Sequence, residues 1–315
     1  MQNQLTTNWK NRSELNQITR FQLHHKAIRL FVLIVFLFSF LLLETAFSEV
    51  KYTYRRTKKI VSMLEQAVVE IESKGRDAFP QFRVEGSEWF EGEMYLFIYT
   101  IDGVNIFHPV QKHLEGQNLY DLKDINGRPL IQHLINKAEK GGGWVHYMWT
   151  RPGEFIPTWK SGYVKKAIMP DGTACFVGTG VYNVRTEKQF IVEMVNDAID
   201  LINARGTAAF AKFRDDSSPF AFRDSYIFVF KDDGTAIVDP AFPSLEGRSL
   251  LEYEVIRYMI ERIKGKDVAW VSYLRPKPGD VKPSKKLAYL RAIKLGDNRY
   301  IVGSDFFPAK PIWMR

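Results

Sequence analysis

Cysteine is almost absent from this chain of 315 residues. Cys175 stands alone, which excludes an internal disulfide and any multi-cysteine metal site. Set in the apolar run from Ala174 to Val181, it reads as a small buried residue rather than a reactive thiol. Histidine is scarce too, and His113, His133 and His146 lack metal-ligand spacing. No Gly-x-Ser-x-Gly elbow occurs. The triplet Gly141–Gly143 has no Lys-Ser/Thr after it, so it reads as a helix stop rather than a phosphate cradle. These absences point away from an enzyme and call for no cofactor and no metal. The charge excess is small as well. Of a net +8, residues 1–48 carry five Lys/Arg against two Asp/Glu, leaving +5 for the rest. No nucleic-acid motif accompanies it, so no nucleic-acid partner is expected.

Long apolar runs are limited to one, Leu30 to Leu43, interrupted only by Ser39 and ended by Glu44. A polar, basic region (1–29, with Lys10, Arg12, Arg20, Lys26 and Arg29) precedes it and predicts a cytoplasmic N-terminus, with everything after the run outside. Two readings fit residues 30–48: an uncleaved membrane anchor, or a signal peptide cut after Ala46-Phe47-Ser48. Under either, the remainder is periplasmic or otherwise extracytoplasmic. With no second apolar run, the chain is not expected to carry a signal back across the membrane by itself.

What the chain does have is an internal repeat. Trp144, Tyr147, Pro152, Gly153, Pro157, Lys160 and Tyr163 return at a constant offset of 126 as Trp270, Tyr273, Pro278, Gly279, Pro283, Lys286 and Tyr289. Upstream the offset is 131: Gly75 matches Gly206, Phe82-Arg83 matches Phe213-Arg214, Asp102-Gly103 matches Asp233-Gly234, and Leu114-Glu115-Gly116 matches Leu245-Glu246-Gly247. The length difference therefore falls in the helix and loop before Trp144 and Trp270, where insertions are tolerated. A hydrophobic content of 45% with 14% aromatics suffices for two cores.

Ile60, Leu64, Val68 and Ile71 recur at helical spacing and predict a long amphipathic helix over 49–74. Its basic start (Lys51, Arg55, Arg56, Lys58, Lys59) reads as a solvated face or as a contact with lipid heads. Each copy then offers a hairpin around Asp-Gly, a helix stopped by glycine, and three further strands: Trp144–Thr150, Tyr163–Met169 and Ala174–Val181 in the first. This order predicts an α+β, PAS-like module made twice, each an antiparallel five-stranded sheet with covering helices on one side. Ile191, Met194, Val195, Ala198 and Ile202 predict a linking helix over 186–205. The modules are accordingly 75–185 and 206–315.

In this order, a hairpin ending in His108-Pro109, Leu114-Glu115-Gly116, Tyr147-x-Trp149-x-x-Pro152-Gly153, Pro157-x-x-Lys160-x-x-Tyr163-Val164 and Val177-Gly-Thr-Gly-Val-Tyr182 resembles the Cache family. Each copy is similar to the single-Cache type-2 module of bacterial chemoreceptors and sensor kinases, and the pair to the double-Cache arrangement. The resemblance implies extracytoplasmic sensing of a small organic anion of the acetate, propionate, pyruvate or lactate class. It also implies an output through a homodimer or a partner signalling protein, because no cytoplasmic kinase or methyl-accepting part is present. Two alternatives remain: a ligand-free structural or protein-interaction module, and a periplasmic solute-binding accessory of a transporter.

Strand parity puts Tyr147, Trp149 and Arg151 on one face, and Tyr273 and Arg275 on the matching face of copy two. They serve either as a ligand wall or as packing of the sheet. Lys160 and Lys286 follow Pro-Gly-acid-x-x-Pro, expected as a rigid loop that presents an ammonium; the plain alternative is a surface lysine. Tyr163 and Tyr289 join the site only if that loop reading holds, since their parity is opposite. His108 becomes Asp239 and Trp149 becomes Arg275, so the two sites differ in chemistry. Copy one is the expected anion site, and copy two is structural or suited to a zwitterion.

Overall fold

The computed structural model describes residues 52–309. The basic N-terminal region and the apolar segment 30–48 lie outside the described residues. Among the described residues no helix is long and apolar enough to cross a membrane. The first repeat runs α1 (Arg55–Lys74), β1 (Phe90–Glu91), β2 (Met94–Thr100), β3 (Asn105–Phe107), α2 (Leu130–Glu139), β4 (Gly143–Thr150), β5 (Pro157–Ile168) and β6 (Ala174–Tyr182). The second runs α3 (Lys188–Arg205), β7 (Ala221–Phe222), β8 (Ser225–Tyr226), β9 (Phe228–Lys231), β10 (Ala236–Val238), α4 (Glu254–Ile263), β11 (Val268–Pro276), β12 (Pro283–Leu295) and β13 (Asn298–Phe306).

Apolar residues three and four apart bury one face of α1 through Ile60, Leu64, Ala67 and Ile71, and one face of α3 through Ile191, Val195, Ala198 and Ile202. Both helices end the same way. Gly75 and Gly206 each take φ +58, and their N–H groups return to the carbonyls of Ile71 and Ile202. At the start of α1 the carboxylate of Glu187 accepts the backbone N–H groups of Thr53 (2.9 Å) and Tyr54 (2.8 Å), tying it to the residue before α3.

The strand orders are β1-β2-β6-β5-β4, with β3 also on β2, and β10-β9-β13-β12-β11, all pairs antiparallel. This is the expected α+β pattern with three differences. The first sheet has a sixth strand, the two-residue β1. Helices cover both faces, not one: α1 packs on β5 and β6 while α2 packs on β4 and β5, and α3 and α4 repeat the arrangement on the second sheet. The reason lies in β2, where every residue from Met94 to Tyr99 is buried, so neither face can be left to water. The third difference is that β5 and β12 begin at Pro157 and Pro283, six residues before the expected starts at Tyr163 and Tyr289. A proline opens a strand without loss, because the first residue needs no ladder N–H. Lys160 and Lys286 consequently sit inside strands.

The length difference between the repeats falls between the Leu-Glu-Gly motif and the following helix, residues 117–129 against 248–253. In the first repeat this longer segment packs Leu119 and Leu122 on the α2 side of the sheet. Arg128 within it donates to the carbonyls of Ala221 (2.8 Å) and Asp216 (3.2 Å) in the second repeat, with its guanidinium 5.0 Å from the ring of Trp159. The two repeats also share one core, in which α1 and α3 lie among residues of both sheets.

A Cβ added at Gly206 meets nothing within 4 Å, so Gly206→Ala isolates the backbone term at this helix end. We expect it to lower stability to urea unfolding by about 1–3 kcal/mol with no change in the folded spectrum. An unchanged midpoint would refute the glycine requirement.

Candidate functional site

Lys160 stands directly opposite Tyr147 across the β4–β5 ladder, so the two side chains leave the same face of the sheet, the face covered by α2. The lysine is 1% exposed. Its Nζ donates to the hydroxyl of Tyr95 on β2 at 3.0 Å and lies 4.2, 5.4 and 5.1 Å from the ring centroids of Tyr95, Phe97 and Tyr182. Among the described residues no carboxylate lies within ion-pair distance of it. Rings attract a desolvated ammonium by up to about 2 kcal/mol each, whereas the desolvation cost of an unpaired buried ion is several kcal/mol. The cage offsets the penalty without supplying a counter-charge.

His108 follows β3 and is buried beside Tyr95 and Phe97. Its Nδ1 accepts the N–H of Gln111 at 2.9 Å, which leaves the ring proton on Nε2. Burial, with the Lys160 charge second, holds its pKa down at about 3, so the ring is neutral near pH 7. Glu115 of the Leu-Glu-Gly motif fixes this residue by accepting its backbone N–H (2.9 Å) while pairing with Arg83 (2.7 Å). Glu246 does the same for Asp239, with Arg214 at 2.8 Å. The repeated Phe-Arg and Leu-Glu-Gly signals are thus one clamp for the end of the hairpin. Its role escaped the sequence because the two halves are 32 residues apart.

Phe97, His108, Leu130, Tyr147, Trp149 and Lys160 line a small open cavity of about 20 Å³. That is room for about one water molecule. Burial also raises the pKa of Tyr147 well above that of a free phenol, keeping its proton in place. The polar groups gathered here carry protons to donate and no negative charge.

Of the residues singled out from sequence, Lys160, Tyr147, Trp149 and His108 come together. Tyr163 does not. With Lys160 inside β5, Tyr163 points to the opposite face, where it packs on Trp144 (centroids 5.1 Å apart) beneath α1. Tyr289 is turned away in the same manner and packs on Trp270 at 5.0 Å. Arg151 lies beyond the end of β4, pairs with Glu93 and Glu154 (3.6 Å each) and covers the ring of Tyr182. Tyr95, which the sequence reading passed over, is the closest partner of Lys160. Its return as Tyr226 at the offset of 131 was the available signal.

In the second repeat, Lys286 again faces Tyr273 across the ladder, but it is paired with Asp305 at 2.6 Å, and the Tyr273 hydroxyl donates to the same carboxylate. The cavity here measures about 480 Å³ and is lined chiefly by apolar side chains, with Asp239, Tyr273, Arg275 and Asp305 among its polar groups. Burial raises the Asp239 carboxyl pKa, opposed by the amide of Phe242 and by Arg275.

Because His108 has a folded pKa below its unfolded value near 6.5, it contributes stability that is complete above about pH 6.5 and lost as pH falls toward 3. Nitrogen-15 NMR should find the Nε2–H tautomer unchanged at pH 5. His108→Gln should lose less stability than the parent between pH 7 and 5 in urea titrations. A His108 signal that titrates near pH 6.5 would refute the burial argument.

Compared with known proteins, 88 residues of the chain are 40% identical to the sensor histidine kinase MctS of Rhizobium johnstonii, covering 28% of this chain and 18% of that protein. The methyl-accepting chemotaxis protein McpP of Pseudomonas putida is 26% identical over 102 residues, 32% of this chain and 18% of that protein. The matches thus span under a fifth of the length of either relative. A solved methyl-accepting chemotaxis protein from Vibrio parahaemolyticus aligns at 30% identity over 40% of this chain and 88% of that one, with a TM-score of 0.35. The Cache domain family itself matches residues 83–307. With that match spanning most of both repeats, the chain belongs to the Cache-domain family, in its double-Cache form.

Proposed function

We propose that this protein is an extracytoplasmic sensor of a short organic anion, bound against Lys160 in the first module and reported through a homodimer or a partner signalling protein. The observation that carries the reading is the buried, unpaired ammonium of Lys160. A carboxylate arriving from solution supplies the opposite charge that the fold leaves out, in charge-assisted hydrogen bonds of the stronger kind. The tyrosine hydroxyl of residue 147, the Nε2–H of His108 and the indole of Trp149 complete a donor-rich wall. We take the ligand from the acetate, propionate, pyruvate and lactate class; the cavity of about 20 Å³ requires a side chain such as Trp149 to yield on entry. The membrane attachment or secretion implied by residues 30–48 places the site outside the cytoplasm.

A second reading has one observation in its favour. Phe155 and Ile156 at the tip of the β4–β5 hairpin are 96% and 77% exposed, as expected of a surface that meets another protein. Ligand binding separates the two.

Thermal unfolding of the chain with each of the four acids should show stabilisation by at least one, about 2.7 kcal/mol at a hundredfold excess over Kd. Lys160→Met, which keeps the stem and removes the charge, should abolish the shift. Tyr147→Phe should weaken binding by about 1.5–3 kcal/mol. A Lys160→Met protein that responds as the parent does would sink this assignment, and no response to any acid would favour the interaction surface.

A further inference from the structure

The two lysines share three matched neighbours and differ most in charge on the last strand. Tyr147 and Tyr273 face them across the ladder. Tyr95 and Tyr226 answer each other at the offset of 131, and both lysines lie 5.1 Å from the ring at the end of the last strand, Tyr182 or Phe307. The difference arises on that last strand. Gly162 pairs with Gly180 in the first sheet, and its counterpart Ala288 pairs with Asp305 in the second. The register is secured two residues earlier, where Gly178 and Gly303 both admit an aromatic ring from β2 or β9: an added Cβ would come within 2.3 Å of Phe97 or 2.5 Å of Phe228. Asp305 therefore stands where module one has Gly180. A Cβ at Gly180 would lie 3.1 Å from Cε of Lys160, so this lattice position looks straight at the lysine.

We infer that Asp305 is a built-in carboxylate which occupies, inside module two, the place that the anion takes in module one, and so determines which module binds an anion. This rests on the reading of Lys160 given above. The geometry meets what an acid ligand needs. Asp305 receives the Lys286 ammonium on Oδ1 at 2.6 Å and the Tyr273 hydroxyl on Oδ2, and both charged side chains are 5% exposed. Lack of space is not what closes module two, since its cavity is about 480 Å³ and both Tyr273 and Asp305 border it. Charge closes it. An anion entering there meets Asp305 and Asp239 on the lining, with Lys286 already neutralised and Arg275 the one cation on the cavity wall. The lysine position of module two is thereby closed to an anion, and of the two lysine positions only that of Lys160 is left open.

The test is a gain of function. Acetate binding to the full chain is measured by calorimetry for the parent, Asp305→Gly, and Asp305→Gly combined with Lys286→Met. We expect one acetate site in the parent and two in Asp305→Gly, the added site being weakened at least about tenfold by Lys286→Met. Loss of a buried ion-pair partner lowers stability, so thermal shifts are read in parallel. Acetate should raise the melting temperature of Asp305→Gly more than that of the parent. Asp305→Ala, which leaves a β-carbon, provides a second variant with the same expectation. Folded variants without an added site, or a parent site removed by Lys286→Met rather than by Lys160→Met, would overturn the inference. Should the parent bind no acetate while Asp305→Gly gains one site through Lys286, the reading of module one fails and that of Asp305 stands.

Discussion

Burial of both faces of each sheet is the constraint from which the rest of this structure follows. β2 and β6 carry apolar or small residues on both sides, so each sheet needs a cover above and below. The long helices α1 and α3 take one face and join the repeats in a common core, while α2 and α4 take the other. A strand between two covers sends alternate side chains in opposite directions. β5 thus places Lys160 in the pocket and Tyr163 beneath α1, one strand serving the site and the helix together.

Lys160 lies in the dry half of that arrangement, and charge decides what it needs. Three aromatic rings, one of them also a hydrogen-bonding phenol, reduce the cost of burying its charge, yet they do not supply a counter-charge. The neighbouring histidine cannot help by accepting, because its free nitrogen is protonated and its pKa is held near 3. Module two shows how the same cage looks when the charge is answered from within the chain: Lys286 and Asp305 meet at 2.6 Å.

Much of this was legible in the sequence because the repeat acts as its own control. Residues returning at 131 and 126 marked the matching elements, and the helical spacing of Ile60, Leu64, Val68 and Ile71 marked α1. The misreadings share a physical origin. Pro157 looked like loop punctuation, yet a proline is harmless as the first residue of a strand, so β5 started six residues early and carried Tyr163 to the wrong face. The unbroken apolar run of β2 was taken as strand without its consequence, that both faces are buried. Asp305 was hidden for a different reason. Its relation to Lys286 is a pairing between strands, and the repeat offset slips from 126 to 125 in the last strand, where Gly178 answers Gly303.

The α2 side of the first sheet is also the place where the repeats differ in length. Residues 117–129 lay Leu119 and Leu122 over the α2 side, and Asp124 within them accepts the backbone N–H of Met148 on β4 at 3.0 Å, between Tyr147 and Trp149. Arg128 from the same segment is bonded to carbonyls of the second repeat. The second repeat has only 248–253 in this position, and its cavity is about 480 Å³ against about 20 Å³. The first repeat thus differs from the second at two places on this side of the sheet: the extra segment packs over α2 and β4, and the glycine at 180 leaves Lys160 without a carboxylate. That segment cannot move far from β4 without breaking the bonds of Arg128 to Ala221 and Asp216, so its position is tied to the second repeat. Packed cores and buried hydrogen bonds do not deform continuously. Residues 117–129, β4 and the start of the second repeat are in this way held as one packed unit.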